Sequence, residues 1–481
     1  MFEIAYKRLK NNKVLSSGLV YLAFSLGTQL LGLFYTPLLT NTLKVSDYGI
    51  YNLVLSLQGI ISIVFTLCIT SGFSRFYNDI KDKSKFKYSI LNFLFLIGIF
   101  STLLIINFSN ILSKILLAET ANGDNYIIIL SLASMITGFI SVYEAEYIME
   151  FKSLKASIIN FLRIFIRLLF ISYIVYSYQE LSVFLILKVQ LVIEVMIFMT
   201  LFLKDIKGYK LQIDIEEIKK PVTFGLGLVL GQVSTWILTL IDRRFLVEYS
   251  DFSDVGIYSL AYTIGMLINP VLLIPFKKIF TPFKFKVYDQ RGGKEKVIEF
   301  FNFYIFSGIF CVLGLSLYSK ILVTILGTKE YLEAVKVVPF VSFSYFLWGL
   351  NEFFGLGLNI KNKSLLNSLL AGLAAILNII LNLILIPLIG IYGAAIATLI
   401  SYGLTNILYY KCGKKYYHVN FELSYLIKYF CIYIFLYGLY SILNLNLLTE
   451  FIINILFVLS YFLICFKLRL ISIDKLKRMR M

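Results

Sequence analysis

The chain of 481 residues is 59% hydrophobic and 15% charged, with a mean hydropathy of +0.83 and a net charge of +17. A soluble domain is about half apolar and a quarter charged, so this composition excludes an ordinary soluble protein and indicates a polytopic membrane protein. The five cysteines stand singly, without a C-x-x-C pair, and the one histidine, His418, lies in a polar loop. These features give no support to a disulfide framework, a metal centre or a Ser-His catalytic triad. A G-x-x-x-x-G-K loop for ATP is also absent, and no cofactor is expected.

Apolar runs of about 20 residues predict fourteen membrane-spanning helices joined by short loops. The first run begins at Val14 and is too long for a signal peptide, so it is predicted to be an uncleaved span. No polar stretch is long enough to form a separate folded domain. In chain order the predicted spans are 14–38, 48–70, 88–107, 126–150, 154–177, 181–203, 221–241, 255–276, 298–319, 335–358, 364–387, 390–410, 423–443 and 448–466.

The chain contains an internal repeat with an offset of 207 residues. The octapeptide Ser46–Leu53 returns as Ser253–Leu260 with six of its eight residues identical. The same offset carries the first six predicted spans onto the next six, and duplicated transporters place their substrate between the two copies. The sequence therefore predicts an all-α integral membrane protein with two pseudo-symmetric six-helix lobes and two extra C-terminal helices, divided as 1–207, 208–415 and 416–481.

Lysine and arginine residues are distributed unequally between the two sets of loops. The side that includes both termini carries 34 of the 45, whereas the opposite side carries seven. Because basic loops remain in the cytoplasm, both termini are predicted to be cytoplasmic. The net charge then reflects topology and contact with anionic membrane lipids, and nucleic acid is not an expected partner.

Four basic residues remain inside predicted spans. Lys428 is close enough to the cytoplasmic end of its span to reach the headgroups. Arg163 and Arg167 lie on the fifth span, about 14 and 20 Å from its cytoplasmic start, on one face of the helix. Lys188 lies on the sixth span, about 10 Å from the outer surface. Each charge costs roughly 2.5–3.5 kcal/mol at the bilayer centre, so the last three are not expected to face lipid.

The repeat indicates whether this cationic set is structural. The three positions in the second copy that correspond to these basic residues at the offset of 207 are all apolar. This asymmetry between the copies favours a functional role for the charges. The counterparts are Leu370, Ala374 and Ala395.

Acidic residues in the spans offer a structural alternative, in which the basic residues form ion pairs with nearby carboxylates. Glu144, Glu146 and Glu194 are the candidates for such pairing. Together with Glu352 on the tenth span, they are also candidate sites for ion coupling.

Two sets of residues carry a family resemblance. The repeated octapeptides, and the run Ile386–Thr398, resemble elements of the polysaccharide exporters, the bacterial O-antigen and capsule repeat-unit flippases of the multidrug/oligosaccharidyl-lipid/polysaccharide superfamily. The resemblance covers essentially the whole chain. It implies two lobes around a cavity, working by alternating access in the bacterial inner membrane. The implied substrate is an oligosaccharide on undecaprenyl pyrophosphate, moved from the inner to the outer leaflet.

The resemblance also implies a role for the cationic set. Members of the family have a cationic cavity in the first lobe, which Arg163, Arg167 and Lys188 match as a clamp for the pyrophosphate. It implies a transporter rather than an enzyme, with no catalytic residue and with a polysaccharide polymerase as a candidate partner. Two alternatives remain. One is a drug or cation antiporter of the same superfamily, although the first span lacks the acidic residue typical of that branch. The other is a membrane glycosyltransferase or polymerase.

Overall fold

The computed structural model describes residues 13–118, 120–178, 180–361, 363–443, 447–468 and 470. Most of the basic N-terminal arm and C-terminal tail, on which the predicted orientation partly depends, lie outside these residues. The described residues are almost entirely helical and contain no β-strand. Their contacts divide the chain into two compact units, Met1–Gly256 and Ile257–Met481.

The first unit is built from long apolar helices and two short ones. In chain order they are α1 (Lys13–Thr42), α2 (Val45–Thr66), α3 (Ile69–Phe76), α4 (Lys83–Leu117), α5 (Gly123–Met149), α6 (Ser153–Tyr178), α7 (Val183–Asp205), α8 (Ile215–Leu240), α9 (Asp242–Tyr249) and the beginning of α10 (Phe252–Gly265).

The second unit begins within α10 and has the same character. Its elements are a π-helical turn (Asn269–Leu273), α11 (Ile274–Val287), α12 (Gly293–Leu317), α13 (Ser319–Leu326), a 3-10 turn (Lys329–Tyr331), α14 (Ala334–Phe354), α15 (Leu356–Ile360), α16 (Ser364–Tyr416), α17 (Leu423–Ile442) and α18 (Leu447–Lys467).

The helices confirm the predicted fold class. Eleven helical segments among the described residues are long and apolar enough to cross a membrane. One of them, α16, covers two predicted spans. Its backbone leaves helical geometry at Ile389 and Gly390, so it consists of two helices joined at a kink. Gly390 has a φ of +55°, which glycine adopts without a steric penalty. The kink lies at the boundary between the predicted spans 364–387 and 390–410. Helices α1 and α14 coincide with the remaining two predicted spans, which accounts for all fourteen.

One helix break in the first unit occurs at residues that are neither glycine nor proline. Leu67 and Cys68, with φ of +45° and +55°, separate α2 from α3 inside a run that the sequence predicts as one span. Helix α8 passes close to this break, since a Cβ atom at Gly225 would lie 2.5 Å from the carbonyl oxygen of Leu67. The contact between the two backbones explains why position 225 needs a glycine.

The two copies of the octapeptide make reciprocal contacts. A Cβ atom at Gly49 would lie 1.8 Å from the carbonyl oxygen of Phe252, and one at Gly256 would lie 2.4 Å from that of Val45. Phe252 is the residue that the offset of 207 pairs with Val45, and all four residues belong to the first unit. The repeated glycines therefore allow the beginnings of α2 and α10 to pack backbone to backbone.

The segment between α7 and α8 is fixed to the start of α4. The Asn92 side chain donates hydrogen bonds to the carbonyl oxygens of Lys210 and Gln212, at 3.0 and 2.9 Å. Asp214 then caps α8 by accepting from the backbone N–H groups of residues 216 and 217. A hydrogen bond from Lys85 holds the pKa of the Asp214 carboxyl below its usual range. This arrangement sets where α8 begins in the first unit.

Candidate functional site

Helix α6 carries two arginines in the middle of a membrane span. It buries small and aliphatic residues near its start, including Ser153, Ala156 and Ile159, and packs against α1 through contacts such as the edge-to-face pair of Phe24 and Phe161. Arg163 and Arg167 follow one helical turn apart, and both side chains are half-buried. The packing of α6 thus holds two guanidinium groups on one face inside the first unit.

Arg163 lies between two carboxylates from neighbouring helices. Its Nε atom is 3.0 Å from Oε2 of Glu194 on α7, and its Nη1 atom is 3.7 Å from Oε1 of Glu144 on α5. Nη1 also donates a hydrogen bond of 3.2 Å to Oδ1 of Asn160, one turn earlier on α6. The Arg163 and Glu194 side chains are only 13% and 5% exposed, so the ion pair is largely removed from solvent.

The other two members of the predicted cationic set have different surroundings. Arg167 lies within electrostatic range of Glu194 and of Tyr35 on α1, and its Nε atom is buried without a hydrogen-bond acceptor among the described residues. Lys188 is exposed on α7, with its Nζ atom 4.2 Å from the centre of the Phe184 ring. Of these three basic residues, only Arg163 forms an ion pair with a carboxylate among the described residues.

The second unit has no equivalent of this site at the repeated positions. Leu370, Ala374 and Ala395, the counterparts of the three basic residues, are each at most 4% exposed. These positions pack as part of an ordinary apolar core. The charges in the first unit are therefore not required by the helical scaffold itself.

Glu146, one of the carboxylates predicted to pair with the arginines, has another partner. It forms an ion pair of 3.1 Å with Lys87 on α4, which also pairs with Asp205 at the end of α7. The Lys87 side chain is only 6% exposed and lies near the rings of Tyr88 and Tyr143. This second cluster joins three helices near their cytoplasmic ends, on the predicted orientation.

Glu352, the fourth candidate carboxylate, belongs to the second unit. Its two oxygens pair with Lys277 at 2.7 Å and with Lys284 at 2.9 Å, both on α11. The structure thus gives each of the four predicted carboxylates a cationic partner. It brings only Glu144 and Glu194 together with Arg163.

Sequence reasoning missed two uncharged polar residues on the helices that carry Arg163 and Glu194. Gln190, one turn before Glu194 on α7, donates a hydrogen bond of 2.9 Å to Gln58 on α2 and is 3% exposed. Asn160 joins the site from the exposed side of α6. Their helical spacing was a usable signal, because residues three and four positions from a buried charge share its face.

The chemistry available at this site is anion binding. A guanidinium group offers forked N–H donors that match the oxygens of carboxylates and phosphates. Nε and Nη2 of Arg163 and Nε of Arg167 are buried without a hydrogen-bond acceptor among the described residues, and Oε1 of Glu144 and Oε2 of Glu194 are buried without a donor. A buried donor left unpaired costs roughly 1–3 kcal/mol, and an anionic ligand would recover that free energy.

Comparison with known proteins yields one family and a consistent set of folds. The sequence pattern of a family described as "polysaccharide biosynthesis protein" matches residues 14–285. No curated protein sequence matches the chain. Among solved structures, the fold is similar to that of the lipid II flippase MurJ in an inward closed conformation, with a TM-score of 0.74 and 18% identity over 92% of this chain and 99% of that one.

Two other solved structures show the same architecture. One is an inward-facing multidrug resistance MATE family transporter of the MOP superfamily, with a TM-score of 0.64 and 14% identity over 83% of this chain and 96% of that one. The other is a MOP superfamily transporter from Pyrococcus furiosus, with a TM-score of 0.57 and 13% identity over 84% and 95% of the two chains. At these identities the likeness establishes the fold.

Proposed function

Because this chain belongs to the polysaccharide biosynthesis protein family and has the fold of the multidrug/oligosaccharidyl-lipid/polysaccharide superfamily, we propose that it is a flippase for lipid-linked oligosaccharides. Its substrate is an oligosaccharide repeat unit on undecaprenyl pyrophosphate, used for O-antigen, capsule or another surface polysaccharide. The repeat unit moves from the inner to the outer leaflet of a bacterial inner membrane by alternating access of the lobes 1–207 and 208–415.

The observation that carries this proposal is the pair of arginines on α6. Both lie inside a membrane span, on one face, with buried donors left unpaired. The pyrophosphate is common to all carrier-linked substrates, whereas the glycan varies, so a fixed site should recognise the phosphates. In the proposed clamp, Arg163 and Arg167 bind the phosphate oxygens. Lys188 contributes a further positive charge from α7.

The two alternatives fit the described residues less well. A drug or cation antiporter of this superfamily typically has an acidic residue in its first span, which this chain lacks, and the carboxylates of the described site, Glu144 and Glu194, are both paired with Arg163. A glycosyltransferase needs acidic groups free to act on a sugar, but all four candidate carboxylates are held in ion pairs. Transport without covalent chemistry is therefore the activity that we assign.

The test of function uses the full chain in liposomes that contain a fluorescent lipid-linked oligosaccharide. We expect the label to equilibrate between leaflets only when the protein is present, and the mass of the recovered lipid to be unchanged. A glycan of altered length would instead identify an enzyme. Transport of cationic dyes in place of the labelled lipid would identify an antiporter.

The proposed orientation makes a separate prediction. A reporter that is active only outside the cytoplasm should be silent when fused after Met481 or inserted within residues 281–296. It should be active within 118–124, because the charge distribution places that loop outside. Activities of the opposite pattern would overturn both the span assignment and the cytoplasmic location of the termini.

A further inference from the structure

The surroundings of Arg163 raise a question about how an anion reaches it. If Glu144 and Glu194 are both ionised, the guanidinium group already has two carboxylate partners. With Arg167 included, the cluster of Glu144, Arg163, Arg167 and Glu194 has no net charge. A substrate with two negative charges would therefore meet a neutral site whose best donors are partly occupied.

The two carboxylates hold Arg163 unequally. Glu194 is the closer, at 3.0 Å, and its side chain is 5% exposed. Glu144 is 3.7 Å away and 18% exposed, which is longer than a hydrogen bond and more open to solvent. Glu144 also lies beside Asn160, which is exposed. Asn160 accepts a hydrogen bond from Nη1 of Arg163, the same atom that is nearest to Glu144. An entering ligand would thus meet Glu144 first.

We propose that Glu144 is an internal competitor of the substrate: the incoming pyrophosphate displaces its carboxylate from Arg163, and the displaced carboxylate takes up one proton from water. Glu194 is a positioning residue that keeps Arg163 in place throughout. Nη1 and the unpaired Nη2 atom then form the fork that receives a phosphate. This inference rests on the proposed function and specifies how that same site is regulated.

Electrostatics explains why the displaced Glu144 carboxylate would take up a proton. A carboxylate that loses its guanidinium partner inside a protein costs several kcal/mol to keep charged. Adding a second anion beside it increases that cost. A proton removes the charge without requiring other ligands, whereas a metal cation needs several oxygen atoms at once.

Helices α1, α2, α5, α6 and α7 contribute the titratable and polar groups that the structure describes at this site. Helix α5 contributes Glu144, α6 contributes Asn160, Arg163 and Arg167, and α7 contributes Glu194. Helix α1 contributes Tyr35, which is beside Arg167 and within range of Tyr51 on α2. Of these groups, only Glu144 is a carboxylate that ligand entry would separate from its partner.

The experiment measures binding of a short substrate analogue to the full chain in nanodiscs free of alkali cations. The probe is farnesyl-pyrophosphoryl-N-acetylglucosamine, in which each phosphate is a diester with one constant charge. Farnesyl N-acetylglucosaminide is the uncharged reference. Dissociation constants are determined between pH about 6 and about 8, and proton uptake is determined by calorimetry in buffers of different ionisation enthalpy.

For the natural sequence, we expect affinity to weaken by about tenfold or more across this range, with about one proton taken up per ligand at the alkaline end. Glu144→Gln should bind more tightly at pH about 8 and lose the pH dependence, because the competitor is always neutral. Glu194→Gln should bind more weakly, because Arg163 is no longer held in place. Glu248→Gln is the control, since it removes a carboxylate from an exposed pair with Arg244 on α9, and it should behave like the natural sequence.

The outcomes distinguish failure of the competition by Glu144 from failure of the proposed function. If Glu144→Gln retains the affinity and pH dependence of the natural sequence, the competition is overturned, while the pyrophosphate clamp stands. If the charged probe binds no better than the uncharged reference at any pH, the proposed function itself fails.

Discussion

Replacing Arg163 with glutamine should abolish export of the lipid-linked glycan while the protein remains in the membrane. Glutamine keeps the helix and much of the polarity but removes the charge and the forked donors. Truncating one partner of a buried charged pair typically costs 2–5 kcal/mol of binding, which corresponds to about 30-fold or more in affinity. In cells that depend on this chain, surface glycan should disappear and lipid-linked repeat units should accumulate. Arg167→Gln should have the same effect.

The controls separate loss of binding from loss of folding. Arg163→Gln leaves the carboxylates of Glu144 and Glu194 without their partner, so the double variant with Glu194→Gln relieves one of them and should still fail to export. Arg163→Lys should restore activity only in part, because charge survives without the bidentate geometry. Arg75→Gln removes an arginine from an exposed pair with Asp79 and should export normally.

Normal export by both Arg163→Gln and Arg167→Gln, at natural protein levels, would contradict the clamp. The arginines would then serve only the ion pairs that Glu144 and Glu194 provide. The same carboxylates were predicted from the sequence as structural partners, so this outcome would select the structural alternative over the functional one.

Replacing Lys87 with methionine should be the most destabilising of the substitutions considered. The Lys87 ammonium group is almost fully buried between Glu146 and Asp205, on three different helices. Removing it leaves two carboxylates close together without a counter-charge, and breaking a buried pair in this way costs about 3–5 kcal/mol. We expect a marked fall in membrane protein level and in the temperature of unfolding, measured by fluorescence-detected chromatography.

Two further variants test the cause of that loss. The triple variant Lys87→Met, Glu146→Gln and Asp205→Asn removes all three charges and should recover much of the stability. Lys152→Met removes a lysine whose pair with Glu150 is exposed, and it should be nearly neutral. An unfolding temperature for Lys87→Met equal to that of the natural sequence would show that this cluster does not stabilise the first unit.

The number and order of the membrane spans could be predicted because they depend on local composition. A bilayer requires about 20 apolar residues per helix, and the division inside α16 coincides with a proline and a glycine at positions 387 and 390. The break at Leu67 and Cys68 could not be predicted. It lies against α8 at Gly225, which is more than 150 residues away in the sequence, and local composition does not reveal a contact of that range.

The site could be predicted in part for the same reason. A charged residue inside an apolar span is visible in the sequence, so Arg163, Arg167 and their candidate carboxylates could be predicted. Which carboxylate meets which base depends on how helices pack. The predicted span begins at residue 88 and so places Lys87 in a loop. In the structure α4 begins at Lys83, and Lys87 lies between α5 and α7. Glu146 therefore pairs with Lys87 rather than with an arginine.

The most direct test of pyrophosphate recognition by Arg163 is the initial rate of leaflet exchange in liposomes. The natural chain and Arg163→Gln, reconstituted at equal density, would be supplied with the same labelled glycan on a pyrophosphate-linked isoprenoid and on an uncharged isoprenyl ether. We expect rapid exchange of the pyrophosphate-linked lipid by the natural chain. We expect only background exchange by the variant, and background exchange of the ether by both. Equal exchange of the two lipids by the natural chain, or equal exchange of the pyrophosphate-linked lipid by the two proteins, would contradict the proposed clamp.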